Sequence, residues 1–151
     1  MAPNESDACP LPNRAEDDRI RHLLETARTI AVVGMSSKPN RPSLEVGLYL
    51  RDHGYAIVPV HPREAVIEGM PVYRDLEAIP RDRTIDLVDL FVSGEKTLGA
   101  VEQASRIGAR AVWFQPGAEY EPAERRAAEL GLEVISGHCT MAEHRRLFGP
   151  R

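Results

Sequence analysis

Two stretches of this 151-residue chain carry residue types suited to chemistry. The first is Gly34-Met35-Ser36-Ser37-Lys38, with Arg41 just beyond it. Glycine turns sharply, serine hydroxyls and backbone amides donate hydrogen bonds, and two cations stand nearby. That set suits a phosphate if a strand ends just before it and a helix begins just after it, because the positive end of the helix then faces the anion. A solvated strand-to-helix loop would show a glycine of the same kind, so the turn by itself is a weak motif. The second stretch is Gly137-His138-Cys139. Thr140-Met141-Ala142-Glu143 reads as a capping box, which puts Cys139 ahead of the N-cap of a final helix, where the helix end and a charged His138 would favour a thiolate. An inert, partly buried thiol fits the same pattern. Cys9, near the N-terminus, reads as an exposed thiol.

The elements around these stretches follow a repeating order. Apolar, β-branched runs at 29–33, 55–60, 85–92, 109–114 and 132–136 are nearly continuous in apolarity, as strands buried on both faces require. Amphipathic helices are expected between them at 43–53, 95–107 and 122–130, closed by Gly54, Gly108 and Gly131 in the position of a left-handed C′ residue. A leading helix is expected at 15–27, with Asn13 and Glu16 as its capping box. Residues 62–83 carry weaker signals, a minor strand at 71–73 and a helical turn at 76–79. Residues 1–12 read as a flexible tail, leaving 13–151 as one domain. Strands alternating with helices imply a Rossmann-like, doubly wound α/β fold: a parallel sheet of about five strands with helices on both faces.

Composition narrows the function classes. A net charge of −4 without a basic block disfavours nucleic acid, which is bound through clustered Lys and Arg. No apolar run reaches the roughly 18 residues of a membrane span, and the N-terminus lacks signal-peptide character, so a cytoplasmic protein is expected. Cys9 and Cys139 show no metal-ligand spacing. No nucleophile–base–acid set stands out: His144, Arg145 and Arg146 read as a helix face, Asp86 and Asp89 as local caps or pairs, Trp113 as core, and His22 and His53 as helix residues. A binding or sensing protein, monomeric or homodimeric, is favoured over an enzyme.

Ligands of doubly wound sheets bind beyond the carboxyl ends of the strands, where strand order reverses. Those ends are the turn at 34–38, then Pro59-Val60-His61-Pro62, Phe91-Val92-Ser93, Gln115-Pro116-Gly117 and Ser136 to Cys139. A dinucleotide site would show G-x-G-x-x-G and a carboxylate ending the second strand. Neither is present. A ligand with an extra phosphate, matched by Lys38 and Arg41, fits better, and an NAD(P)-dependent oxidoreductase stands as the alternative.

Four segments, Gly34 to Pro39, Gly54 to Pro62, Ile85 to Phe91 and Ala111 to Gly117, resemble in order and spacing the small stand-alone CoA-binding domain proteins. These are similar to the nucleotide-binding domain of the succinyl-CoA synthetase α subunit, and the resemblance covers about residues 20–147. It implies coenzyme A as ligand, with contacts from Gly34, Ser36, Ser37, Lys38 and Arg41, from His61 and Pro62, and from Phe91 and Val92. It also implies that Cys139 is placed to form a mixed disulfide with CoA, and it allows a regulatory subunit of a larger CoA ligase. The chain departs from the family at His61, commonly Asn; at Val92, commonly Arg; and at Gly137-His138, commonly Asp-Arg.

Overall fold

The expected alternation is the observed one. A computed structural model describes residues 14–149, so Asn13, Cys9 and the expected tail at 1–12 lie outside the described residues. The elements are α1 (Arg14–Thr26), β1 (Thr29–Val33), α2 (Pro42–Asp52), β2 (Ala56–Val60), β3 (Val66–Ile67), β4 (Met70–Pro71), a 3₁₀ turn (Leu76–Ala78), β5 (Leu87–Leu90), α3 (Glu95–Arg106), β6 (Ala111–Phe114), α4 (Glu121–Glu129), β7 (Glu133–Ser136) and α5 (Thr140–Phe148). Five strands form one parallel sheet in the order β2-β1-β5-β6-β7. The order reverses between β1 and β5, so the turn after β1 opens onto the crevice of a doubly wound, Rossmann-like fold.

Side chains alternate between two cores. Ala31, Val88, Leu90, Val112 and Phe114 face α3 and α4, where Val101, Ala104, Ala123 and Ala127 cover them. Ile30, Val32, Leu87, Trp113 and Ile135 face the other way, under Ile20, Leu23 and Leu24 of α1 and Leu44 and Leu50 of α2. This two-sided burial explains why the strands read as apolar runs rather than as alternating patterns. Gly54, Gly108 and Gly131 take positive φ of 100°, 79° and 82°, the left-handed conformation that ends a helix without Cβ strain. The segment after β2 differs from expectation: the minor strand at 71–73 is instead a two-stranded hairpin, β3 with β4, plus one bridge between Val60 and Tyr73. Glu68 and Gly69 both have positive φ at its tip, as a two-residue hairpin loop of the right twist requires.

The last helix is tied to the sheet by a buried polar cluster. Thr140 does not cap α5 with its side chain. Cys139 occupies the N-cap position, and the Thr140 hydroxyl turns inward to Asp89 Oδ2 and Gln115 Oε1, each 3.0 Å away. The Thr140 amide also donates to Gln115 Oε1 at 2.9 Å. Asp89 sits fully buried mid-strand on β5, not at a strand end as a local cap would, and its Oδ1 has no hydrogen-bond partner among the described residues. Burial pushes its carboxyl up to about 8, against a smaller opposing effect of the Thr140 hydrogen bond. The protonated acid can donate to Thr140, whose own proton then goes to Gln115. Asp86 does not pair locally as expected: its Oδ2 accepts the amides of Arg28 and Thr29, 58 and 57 positions away, at the start of β1.

Because burial raises the folded-state value of Asp89 above the ordinary 3.8, the folded chain keeps a proton that the unfolded chain has lost between those values. That contribution is complete at low pH and is lost as pH climbs towards 8, by at most about 1.4 kcal/mol per pH unit. The variant Asp89→Asn is expected to flatten stability between pH 5 and pH 8 in urea titrations and to exceed the parent at the upper end. An identical pH profile in the two proteins would contradict this assignment.

Candidate functional site

Local sequence and packing together shape the turn after β1. Gly34 has φ +90°, and a Cβ there would lie 3.0 Å from Val92 Cγ1, so both conformation and space call for glycine. Met35 is fully buried and leans onto α2, where a Cβ at Gly47 would lie 2.6 Å from Met35 Cε. Gly47 thus lets the turn approach its helix closely, a role unreadable until the two segments are seen together. Pro42 opens α2, and Arg41 holds its N-cap position with extended backbone.

The turn is knitted to the rest of the protein. Gly34 N–H donates to the Val60 carbonyl at 2.8 Å, and Ser36 N–H to Ser43 Oγ at 3.1 Å. Lys38 N–H donates to Ser36 Oγ at 3.1 Å. Ser37 donates both its N–H, at 3.1 Å, and its hydroxyl, at 2.9 Å, to Glu64 Oε2. The serines therefore engage protein partners, where the sequence suggested donors aimed at a ligand.

Around this turn lies an open cleft of about 1310 Å³, larger than the 300–1,000 Å³ usual for drug-sized ligands. Gly34, Ser36, Lys38, Arg41, His61, Phe91 and Cys139, all singled out by the sequence, line it. Ser37, Pro62 and Val92 do not lie on its lining: Ser37 pairs with Glu64, Val92 packs against Gly34, and Pro62 is exposed. Gln115, read as a strand end, lines the wall too, and the fold adds Arg63, Glu64, Lys96 and Met141. Reading strand ends misses Lys96 because it lies in the first turn of α3, and misses Arg63 and Glu64 because the chain bends back after His61. The bend is stabilised by His61 Nδ1, which accepts the amides of Arg63 and Glu64 at 3.0 and 3.1 Å.

Cys139 reaches the cleft through tertiary anchors. Trp113 is core, as expected, but its Nε1–H also donates to the His138 carbonyl at 2.6 Å, pinning the loop between β7 and α5. His138 directs its ring to Glu16, at 3.3 Å, and towards Glu143, at 3.8 Å. Cys139 is partly buried. One turn further along α5, His144 Nδ1 lies 2.9 Å from Tyr49 Oη of α2, and burial, reinforced by His53, lowers the pKa of His144. Among the described residues, no group of His, Cys, Asp and Glu is placed to hold a metal ion. No described helix is long and apolar enough to cross a membrane.

A doubly wound sheet whose cleft presents Lys38, Arg41, Arg63 and Lys96 beside a glycine-led βα turn defines a nucleotide-binding class of domain. The chain belongs to the CoA binding domain family, whose model matches residues 28–145. It is 34% identical over 133 residues to the uncharacterized protein YneT of Bacillus subtilis (strain 168), covering 88% of this chain and 95% of that one. A hypothetical protein from Pyrococcus horikoshii OT3 has a solved structure that superposes with a TM-score of 0.86 at 38% identity, covering 99% of this chain and 100% of that one. The α subunit of acetate–CoA ligase [ADP-forming] II of Pyrococcus furiosus is 25% identical in a match that covers 74% of this chain but only 26% of the ligase subunit.

Replacing Gly34 with Ala is expected to lower stability by about 1–3 kcal/mol, through strained backbone and collision with Val92. Urea unfolding of the variant measures this, and an unchanged midpoint would show that the turn relaxes freely.

Proposed function

We propose that this protein binds coenzyme A or an acyl-CoA in the cleft beyond β1, as a binding or redox-sensing protein rather than a complete ligase. The observation that carries the reading is the charge of the cleft. In a chain of net charge −4, four cations, Lys38, Arg41, Arg63 and Lys96, line the cleft against two carboxylates, Glu45 and Glu64. A locally positive cleft on an acidic protein favours a multiply charged anion. CoA carries a diphosphate and a 3′-phosphate, and its pantetheine arm gives it a length suited to a cleft of this size. Membership of the CoA binding domain family supports the same ligand. Val92, directed at Gly34, leaves cations on neighbouring elements to meet the phosphates, with Lys96 the nearest in sequence. A nicotinamide dinucleotide is less suited, because the second strand ends in Pro59-Val60-His61-Pro62 without the carboxylate that would hold its ribose.

Cys139 lines the same cleft. Its thiolate can attack a CoA disulfide, forming the Cys139–CoA bond and releasing the other thiol as thiolate. No external oxidant is needed for that exchange, since the incoming disulfide is already oxidised.

At a hundredfold excess over Kd, CoA is expected to raise the melting temperature by roughly 5–10 °C, with no comparable shift from NADH or NADPH. The variant combining Lys38→Ala and Arg41→Ala should weaken CoA binding about tenfold or more, since hydrogen bonds to charged groups are among the strong ones. A shift with NADPH alone would transfer the site to a nicotinamide cofactor. For Cys139, peptide mass spectrometry after incubation with CoA disulfide should find a CoA-mass adduct on the peptide holding Cys139, removed by reductant and absent from Cys139→Ser. An unmodified thiol after prolonged incubation would leave CoA binding without redox chemistry.

A further inference from the structure

The turn after β1 already holds an anion, and that anion belongs to the protein. Glu64 Oε2 takes both donors of Ser37, the amide at 3.1 Å and the hydroxyl at 2.9 Å. A carboxylate accepting an N–H and an O–H in a cationic βα turn makes the same contacts that one edge of a phosphate would make. The Ser37 hydrogen bonds, followed by the charge of Lys38, hold the Glu64 carboxyl below the usual range, so it is ionised at neutral pH.

The backbone on both sides of Glu64 is anchored while its side chain borders open space. His61 Nδ1 gathers the amides of Arg63 and Glu64, and the Val72 amide donates to the Ala65 carbonyl at 3.0 Å. Ile67, three residues further on, is buried in the core of the α2 face. The carboxylate itself lines the cleft beside Lys38 and Arg41. A side-chain rotation is therefore enough to free Ser37, with no backbone rearrangement. The same is not true of its neighbour: the Ser36 amide is held by the buried Ser43 hydroxyl.

We propose that Glu64 is a resident stand-in for a ligand phosphate, occupying the Ser37 donors in the empty protein and yielding them only to an anion that brings further charges. This rests on the reading that the cleft takes a polyphosphate ligand such as CoA. A small monoanion gains at Ser37 no more than Glu64 gives up there. A diphosphate makes that exchange and also reaches Lys38 and Arg41, so the carboxylate acts as a filter by charge. A site occupied by its own side chain about nine-tenths of the time binds about tenfold more weakly than an open one.

Isothermal titration of the full chain with CoA and, separately, with inorganic pyrophosphate, at one fixed ionic strength, tests this in the parent, Glu64→Gln and Glu64→Ala. Both variants are expected to bind both probes more tightly, Glu64→Ala by about tenfold, and the Ser37 amide resonance is expected to move when either probe binds the parent. Affinities unchanged or weakened in the variants would overturn the proposal. So would a gain in affinity with the Ser37 resonance unmoved by the probes, because charge repulsion alone would then account for it. If CoA binds parent and variants equally, the CoA reading stands and the filter falls. If only pyrophosphate binds, and more tightly to the variants, the filter stands and the CoA reading falls. Failure of both probes with all three proteins overturns both.

Discussion

β1 is hydrogen-bonded along both edges to parallel neighbours, Ile30 facing Ile57 on one side and Leu87 on the other, and this double pairing governs the molecule. It makes β1 an interior strand, which demands the apolar run at 29–33. It sends the chain away from β1 in opposite directions, with α2 crossing one face and α3 the other. The turn at 34–38 is thereby left at the reversal of strand order, with β2, β5 and β6 ending on the same rim. Gly34, Ser36, Lys38, Arg41, His61 and Phe91 share the cleft because of that pairing.

A second level of organisation is polar and buried. Asp89, Thr140 and Gln115 belong to β5, the start of α5 and the end of β6, and they meet where no water competes. Hydrogen bonding there fixes the start of α5, and with it Cys139, more tightly than a solvated helix cap would. Trp113 reinforces the arrangement by taking up the His138 carbonyl. The cost is a neutral carboxyl with one unpartnered oxygen in the core, which links the position of α5 to protonation of Asp89.

The elements themselves were legible. Strands covered on both faces need unbroken apolar runs, helices between them need a stripe, and glycines at 54, 108 and 131 mark the exits, so the parallel sheet followed from local pattern. The region after His61 was less legible. A hairpin with two residues per strand has too few positions to show periodicity, and its tip places the non-glycine Glu68 at positive φ. The signature from Thr140 to Glu143 pointed to a side-chain cap, yet partners distant in sequence claim that hydroxyl.

Much the same division runs through the site. Seven of the ten residues expected to meet a ligand do line the cleft, since strand ends in a parallel sheet share one rim. Arg63, Glu64 and Lys96 were not foreseen, because a side chain beyond the strand end enters the cleft only if its turn or helix bends that way. The sequence by itself determined the order of strands and helices and the cationic, glycine-led turn, because backbone conformation and burial periodicity are local. Only the tertiary structure decided that Ser37 already gives its hydrogen bonds to Glu64, because a donor's partner is chosen by proximity in space, and that proximity exists only once the chain has folded back after β2.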